Sequence, residues 1–269
     1  MNIVTAFLSE GKPLIDGLKL KKAKVPGFHL PLYKSGDHSL TISGMGYQKM
    51  SVAIEQLAKL NSTQSTPWLN IGVAGHGNAP IGSAHIVAKC SEENTSKAIY
   101  PPQIFSSVFP PTILRTLNKP SSAYEMNIAY DMEGYGFFKT SSRFTTLELI
   151  QSVKFISDNP SNPVKEFDKS KVDKIIRSHI HHIIELINEM ETLASKIRPA
   201  PEVEIFLSRI SHLQSFTETQ THQLKKAIRH AYSLEAPMDE IEKAVCQSSD
   251  SRSAIRKIHQ IIELYRVFP

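Results

Sequence analysis

The sequence predicts an α/β fold, a mixed central sheet flanked by helices, with a small all-helical unit appended at its C-terminal end. Three observations carry this expectation. Up to Asp158, short apolar runs with strand character alternate with Gly- or Ser-bearing turns and one helix-period segment, the pattern of a sheet sandwiched by helices. After Asp158 a stripe of helical period takes over. The run Arg198-Pro199-Ala200-Pro201 then interrupts it, because proline removes a donor and disfavours helix before it. The expected units are residues 1–197 and 198–269.

Composition narrows the classes. The chain has 269 residues, 41% hydrophobic and 21% charged, enough to bury a sizeable core, which excludes a disordered, collagen-like or disulfide-scaffold protein. Its two cysteines, Cys90 and Cys246, lie outside any CxxC spacing, so they build no structural zinc site and fit a reducing compartment. The longest charge-free stretch, Leu60 to Ala88, is broken by Asn, Ser, Gln, His and Pro and cannot sit in hydrocarbon. The opening MNIVTAFLSEGKPL lacks a basic segment ahead of a long apolar run, so a cytoplasmic protein without a signal peptide is expected. Net charge is +5 and the pI about 9.0. Lys12, Lys19, Lys21, Lys22, Lys24 and Lys34 supply much of the excess and read as a solvated face. Neither nucleic acid nor membrane is an expected partner.

Element by element, Ile3 to Leu8 and Ser39 to Ile42 read as strands, and Met50 to Leu60 as a helix. Trp68 to Ala74 is a buried strand, and Ser152 to Ile156 another. Residues 98–120 carry Pro101, Pro102, Pro110, Pro111 and Pro120 and read mostly as loop. Val172, Ile175, Ile176, Ile180, Ile183, Ile187, Met190 and Ile197 mark one long amphipathic helix. Residues 203–269 read as about four short helices. Their markers are Ile205, Ile210 and Leu213; Leu224, Ile228 and Tyr232; Pro237, which suits a first turn; and Ile255, Ile258, Ile262 and Leu264. Lys/Arg and Asp/Glu nearly balance there, unlike a nucleic-acid arm.

Four short segments carry the functional reading: Ser43-Gly44-Met45-Gly46, Gly72-Val73-Ala74-Gly75-His76-Gly77, Asp131-Met132-Glu133-Gly134 and Ile156-Ser157-Asp158. Singly each has an ordinary explanation. A glycine turn allows positive φ or close packing, and Ser-Asp after a strand is a common cap or turn. In this order and spacing they resemble the purine nucleoside phosphorylase and nucleosidase superfamily, most closely its 5'-methylthioadenosine/S-adenosylhomocysteine nucleosidase branch. The likeness spans roughly residues 1–197 and does not cover 203–269.

The resemblance implies a nucleoside phosphorylase-like fold and a site beyond the carboxyl ends of the strands. By position in the motifs, Asp158 is the acid that protonates or hydrogen-bonds the leaving base, with Ser157 orienting it. Such an acid must be protonated when it acts. Glu133 is the carboxylate that grips the ribose hydroxyls and faces the developing sugar cation, and Met132 is the apolar floor under the sugar. Val73, Ala74, Gly75, His76 and Ile156 complete the substrate-binding set. Glu10 matches the glutamate near the attacking water after a one-residue shift. His76 stands where the family has a small residue, and either touches ligand or narrows the pocket. His85 reads as structural, His179 and His182 as a polar helix face rather than metal ligands, and Gly134-Tyr135-Gly136-Phe137-Phe138 as helix packing.

The leading function is hydrolysis of the N-glycosidic bond of purine nucleosides, adenosine-type and 5'-thio-substituted ones included, to free base and sugar. The partner is then a small-molecule nucleoside or free purine, without metal or organic cofactor, in a homodimer or higher assembly. Phosphorolysis, with phosphate as co-substrate, is one alternative. A non-catalytic nucleoside-binding or interaction protein is another. Hydrolysis is favoured because Asn70 and Val73 stand where the phosphorylase branch carries an arginine and a serine, and Glu10 where it has a phosphate loop.

Overall fold

A computed structural model describes residues 1–60, 65–121, 124–163, 168–198 and 200–265. The chain divides into two compact units, Met1–Ile197 and Arg198–Pro269. In the first unit the strands are β1 (Asn2–Thr5), β2 (Lys21–Ala23), β3 (Leu32–Ser35), β4 (His38–Ile42), β5 (Trp68–His76), β6 (Ala84–Glu92), β7 (Ala98–Ile99), β8 (Pro111–Thr116), β9 (Ile128–Asp131) and β10 (Ile150–Asp158). The helices are α1 (Leu8–Gly17), α2 (Tyr47–Leu60), α3 (Gly134–Ser141), α4 (Lys169–Ser178) and α5 (Ile180–Ile197).

These strands form one mixed sheet. β5 and β10 run parallel at its centre, with Trp68 opposite Ile150 and Ala74 opposite Ile156. Both are buried along nearly their whole length, as strands covered on both faces are. β5 also pairs with β1 and β9, and β10 with β6. Through β8 the path returns from β6 to β9, so these strands close on themselves while β1, β4, β3 and β2 extend outward. Alternation along each strand feeds two cores. Ile3, Leu69, Ile71, Val153 and Phe155 pack with Ile176, Ile183 and Met190 of α4 and α5. Val4, Trp68, Ala74 and Ile150 pack with Met50, Ile54 and Leu57 of α2 and with Phe137 and Phe138 of α3. The Gly134–Phe138 run is thus helix packing, as read.

Three expected elements change. The strand read as Ile3–Leu8 ends at Thr5, and a helix begins at Leu8. Glu10 is the physical reason: its carboxylate takes the N–H groups of Ala6 at 2.9 Å and Phe7 at 2.8 Å, donors that a helix start leaves open. The proline-rich segment 98–120 is mostly loop, as read, but it also contains the strand Pro111–Thr116, which lies inside the sheet between β6 and β9. Pro111 stands at its first residue, where a missing donor is tolerated. The single long helix over 172–197 is two, divided at His179. That imidazole leaves the polar face to bond the Gly82 carbonyl at 3.1 Å and to lie against Phe109 and Phe155.

The second unit contains α6 (Pro201–Ser211), α7 (Glu218–Ser233), α8 (Met238–Cys246) and α9 (Ser251–Leu264). Pro201 opens α6 at its first turn, where its missing N–H costs nothing, while Thr217 caps α7 and Asp250 caps α9 by accepting N–H groups that the helix cannot satisfy itself. The buried stripe of α6 is Val203, Phe206, Leu207 and Ile210; Ile205, Leu213 and Tyr232, read as stripe residues, are exposed. Those four pack with Leu224, Ile228, Ile241, Val245, Ile258 and Ile262. No described helix is long and apolar enough to cross a membrane.

Because these helices fill their own core, a fragment of residues 200–269 should show a helical circular dichroism spectrum and a cooperative melt. A featureless, non-cooperative trace would mean that the core needs residues 1–197.

Candidate active site

A cavity of about 460 Å³ lies at the carboxyl ends of β5, β9 and β10, where Gly75, Asp131 and Asp158 reach its wall. Phe7 and Glu10, beyond the end of β1, close one side, and Met45 another. Strand ends suit this use because the backbone turns away there and leaves side chains facing one space.

Beneath that wall sits a buried cation. Lys154, 1% exposed in the middle of β10, pairs with Asp131 Oδ2 at 2.8 Å and donates to Asn70 Oδ1 at 2.7 Å. Burial works to discharge its ammonium, but Asp131 and Glu133 outweigh burial and hold the proton more firmly than usual. Asp131 accepts in addition from Thr116 Oγ1 and from the N–H of Gly134, both at 2.8 Å. The start of α3 is thereby fixed, and with it Glu133. Glu133 Oε1 accepts the Gly46 N–H at 2.6 Å. Gly44 and Gly46 have φ of +81° and +105°, so the Ser43–Gly46 turn requires glycine to bring that donor in. Burial, then Asp131, pushes Glu133 up to about 7, against the pull of Lys154 and the Gly46 N–H.

Glu10 is fully enclosed. Its Oε2 holds Ala6 and Phe7, and its Oε1 accepts the Val73 N–H at 3.0 Å. Burial raises its pKa, opposed chiefly by the Phe7 and Val73 donors. Asp158 stands where the register of β10 against β5 shifts, a bulge that re-aims a side chain at a strand end. Its Oδ1 accepts from Ser157 Oγ at 2.6 Å and its Oδ2 from Tyr124 at 2.6 Å.

The segment Gly72–Gly77 is strand as far as His76 rather than a turn, and its glycines serve close approach. A Cβ at Gly72 would lie 3.2 Å from Lys154 Nζ and 3.4 Å from Glu10 Oε1. One at Gly75 would collide with the Tyr124 ring, and one at Gly77 with the Glu125 carbonyl.

The structure therefore brings Glu10, Val73, Ala74, Gly75, Met132, Glu133, Ser157 and Asp158 to one cavity. Two expected residues are elsewhere. Ile156 is fully buried in the sheet core beside Ala74. His76 is turned away: its Nδ1 accepts the N–H groups of Asn78 at 3.1 Å and Ala79 at 2.9 Å, and its ring stacks on His85. It shapes the chain after β5 and neither touches nor narrows the cavity. Burial, and then His85, lowers its pKa. Among the described residues no group of three or more His, Cys, Asp or Glu side chains could hold a metal ion.

Sequence reading assigned no role to Lys154, Asp131, Tyr124, Tyr130 or Phe7. Lys154 had a visible signal, a lone charge between Val153 and Phe155 in a strand buried on both faces, which demands a partner. Tyr124 had none, since its place depends on a distant segment packing against β5.

No protein-family model and no curated protein sequence matches the chain. Solved structures do. The 5'-methylthioadenosine/S-adenosyl homocysteine nucleosidase of Campylobacter jejuni is 16% identical, with a TM-score of 0.56 over 70% of this chain and 98% of that one. Futalosine hydrolase of Helicobacter pylori is 11% identical, with a TM-score of 0.57 over 70% and 97%. The 5'-methylthioadenosine nucleosidase of Arabidopsis thaliana is 14% identical, with a TM-score of 0.55 over 70% and 94%. The chain thus shares the mixed α/β fold of these solved structures, which are nucleosidases and a futalosine hydrolase.

The Glu133 environment has a measurable consequence. A glutamate that titrates near 4.5 when free and about 7 in the fold binds its proton more tightly in the native state. Stability from this group is therefore full at low pH and falls as pH rises through that window, by about 3 kcal/mol. Glu133→Gln cannot titrate, so its Tm relative to the unsubstituted protein should climb between pH 4.5 and 7.5. A constant difference across that range would mean an ordinary carboxylate.

Proposed function

We propose that residues 1–197 form a nucleosidase that hydrolyses the N-glycosidic bond of purine nucleosides, adenosine-type and 5'-thio-substituted ones included. The carrying observation is that Glu10, Glu133 and Asp158, from three separate parts of the chain, line one cavity of nucleoside size. The activities of the structurally similar nucleosidase and futalosine hydrolase support the same reading.

In this mechanism the bond from the base nitrogen to the anomeric carbon breaks, and its electron pair leaves with the base. Asp158 gives a proton to the departing purine. Ser157, bonded to Oδ1, fixes its rotamer. Glu133, ionised, holds the ribose hydroxyls and stabilises the positive sugar, a contact that strengthens as charge develops. Water adds to the anomeric carbon and passes its proton to Glu10, so one proton is spent and one recovered. Three backbone donors set the Glu10 orientation, and its raised pKa makes it a better base than a solvated glutamate. Met132 and the wall at Val73 and Ala74 give the sugar and base apolar surfaces. The steps call for no metal or organic cofactor.

Water rather than phosphate is the favoured nucleophile. Asn70 is spent on the Val4 carbonyl, Ser152 and Lys154, Val73 has no donor side chain, and the one cation beneath the wall is already paired with Asp131. Among the described residues that line the cavity, a dianion would meet carboxylates and no guanidinium.

A panel of nucleosides incubated with and without phosphate, read by chromatography, tests this. Free base and free ribose should appear at a rate indifferent to phosphate. Folded Asp158→Asn should lose roughly 100-fold or more of that rate, as expected for general acid catalysis. Ribose 1-phosphate as product would make the protein a phosphorylase. Binding without turnover would make it a nucleoside-binding protein.

A further inference from the structure

Tyr124 touches the acid of the proposed reaction yet has no step in it. Its hydroxyl donates to Asp158 Oδ2 at 2.6 Å while Ser157 bonds Oδ1, so both oxygens of Asp158 are already engaged by protein. Its ring covers Gly75 so closely that any side chain there would collide with it. The ring also stacks on Tyr130, at 5.0 Å between centroids and 22° between planes. A flat aromatic ring lying on the end of β5, with one polar atom on Asp158, occupies the surface and the hydrogen bond that a nucleobase needs.

We propose that Tyr124 is a resident occupant of the base position, and that a purine binds by turning its ring aside. This rests on the nucleosidase reading of the cavity and adds to it a residue that sets affinity for the base.

The neighbouring backbone is anchored, which makes the placement a built feature. The Glu125 N–H donates to the Tyr130 hydroxyl at 3.1 Å, and Arg115 pairs with Glu125 while lying 5.8 Å from the Tyr130 ring centre. Asn127 N–H donates to Asn78 Oδ1 at 2.9 Å, and Asn78 Nδ2 returns a bond to Asn127 Oδ1 at 3.1 Å. The Glu125 carbonyl fills the space that the missing Cβ of Gly77 leaves. The chain need not shift for a base to enter. Rotation about the tyrosine's own side-chain bonds releases both Asp158 and the face of Gly75, at the cost of the stack and of the hydrogen bond to Asp158.

That cost can be read as affinity. Losing a hydrogen bond corresponds to about 10-fold in a binding constant, which the entering base must supply. Tyr124→Phe keeps the ring and removes the bond; Tyr124→Ala removes both.

Calorimetric titration of adenine into the full chain and these two variants decides the matter. Binding about 10-fold tighter in Tyr124→Phe, and at least as tight in Tyr124→Ala, is the expected result. It includes the case in which adenine binds the variants measurably and the unsubstituted protein too weakly to register. Unchanged or weaker binding by either variant, with binding to the unsubstituted protein measurable, would overturn the proposal and make Tyr124 part of the base site. If none of the three binds adenine, the nucleosidase reading falls, and this inference with it.

Discussion

A lysine ammonium fully removed from water governs this site. Burying a charge is tolerated only when it is paired and hydrogen-bonded, and Lys154 is satisfied by Asp131 and Asn70 from two other strands. Asn70 in turn engages the Val4 carbonyl and Ser152, and Asp131 the Thr116 hydroxyl and the first N–H of α3. One cation thus fastens β10 to β1, β5, β8 and β9 through side chains, over and above the sheet ladder. It also answers an electrostatic problem. Glu10 and Glu133 are both buried, and burial favours their neutral forms; Lys154 pulls both back toward ionisation. A cavity whose chemistry needs charged carboxylates depends on a countercharge that does not occupy the cavity itself.

The glycine-rich segment becomes intelligible from the same constraint. Gly72 leaves room for Lys154 and Glu10, while Gly75 and Gly77 admit Tyr124 and the Glu125 carbonyl. These glycines therefore mark close approach to the end of β5, and the space left by Gly75 is taken by an aromatic ring.

Much of this could be read before the structure. The two central strands and the α2 stripe were legible because burial leaves unbroken or helix-period apolar runs, while Met132, Glu133, Ser157 and Asp158 were legible through motifs whose order resembles a known superfamily. What escaped detection escaped for physical reasons. Prolines concealed β8, although the strand needs no donor at its first residue. Periodicity ran through the α4–α5 break, since Ile176 and Ile183 face the same core on either side of His179. His76 suggested ligand contact by its chemistry, whereas local geometry spends its Nδ1 on two backbone N–H groups. Lys154 was visible in the sequence as a charge where none belongs, and the need for a partner was the clue.

The central claim is electrostatic, so the most direct measurement is urea unfolding of Lys154→Met at two pH values. At pH 8 the variant leaves Asp131, Glu133 and Glu10 buried without their cation, and should lose about 3–5 kcal/mol. At pH 5 Glu133, whose carboxyl is pushed up to about 7, takes a proton, so the loss should shrink. An equal loss at both pH values would contradict the account, because it would mean that Lys154 acts through packing and not through its charge.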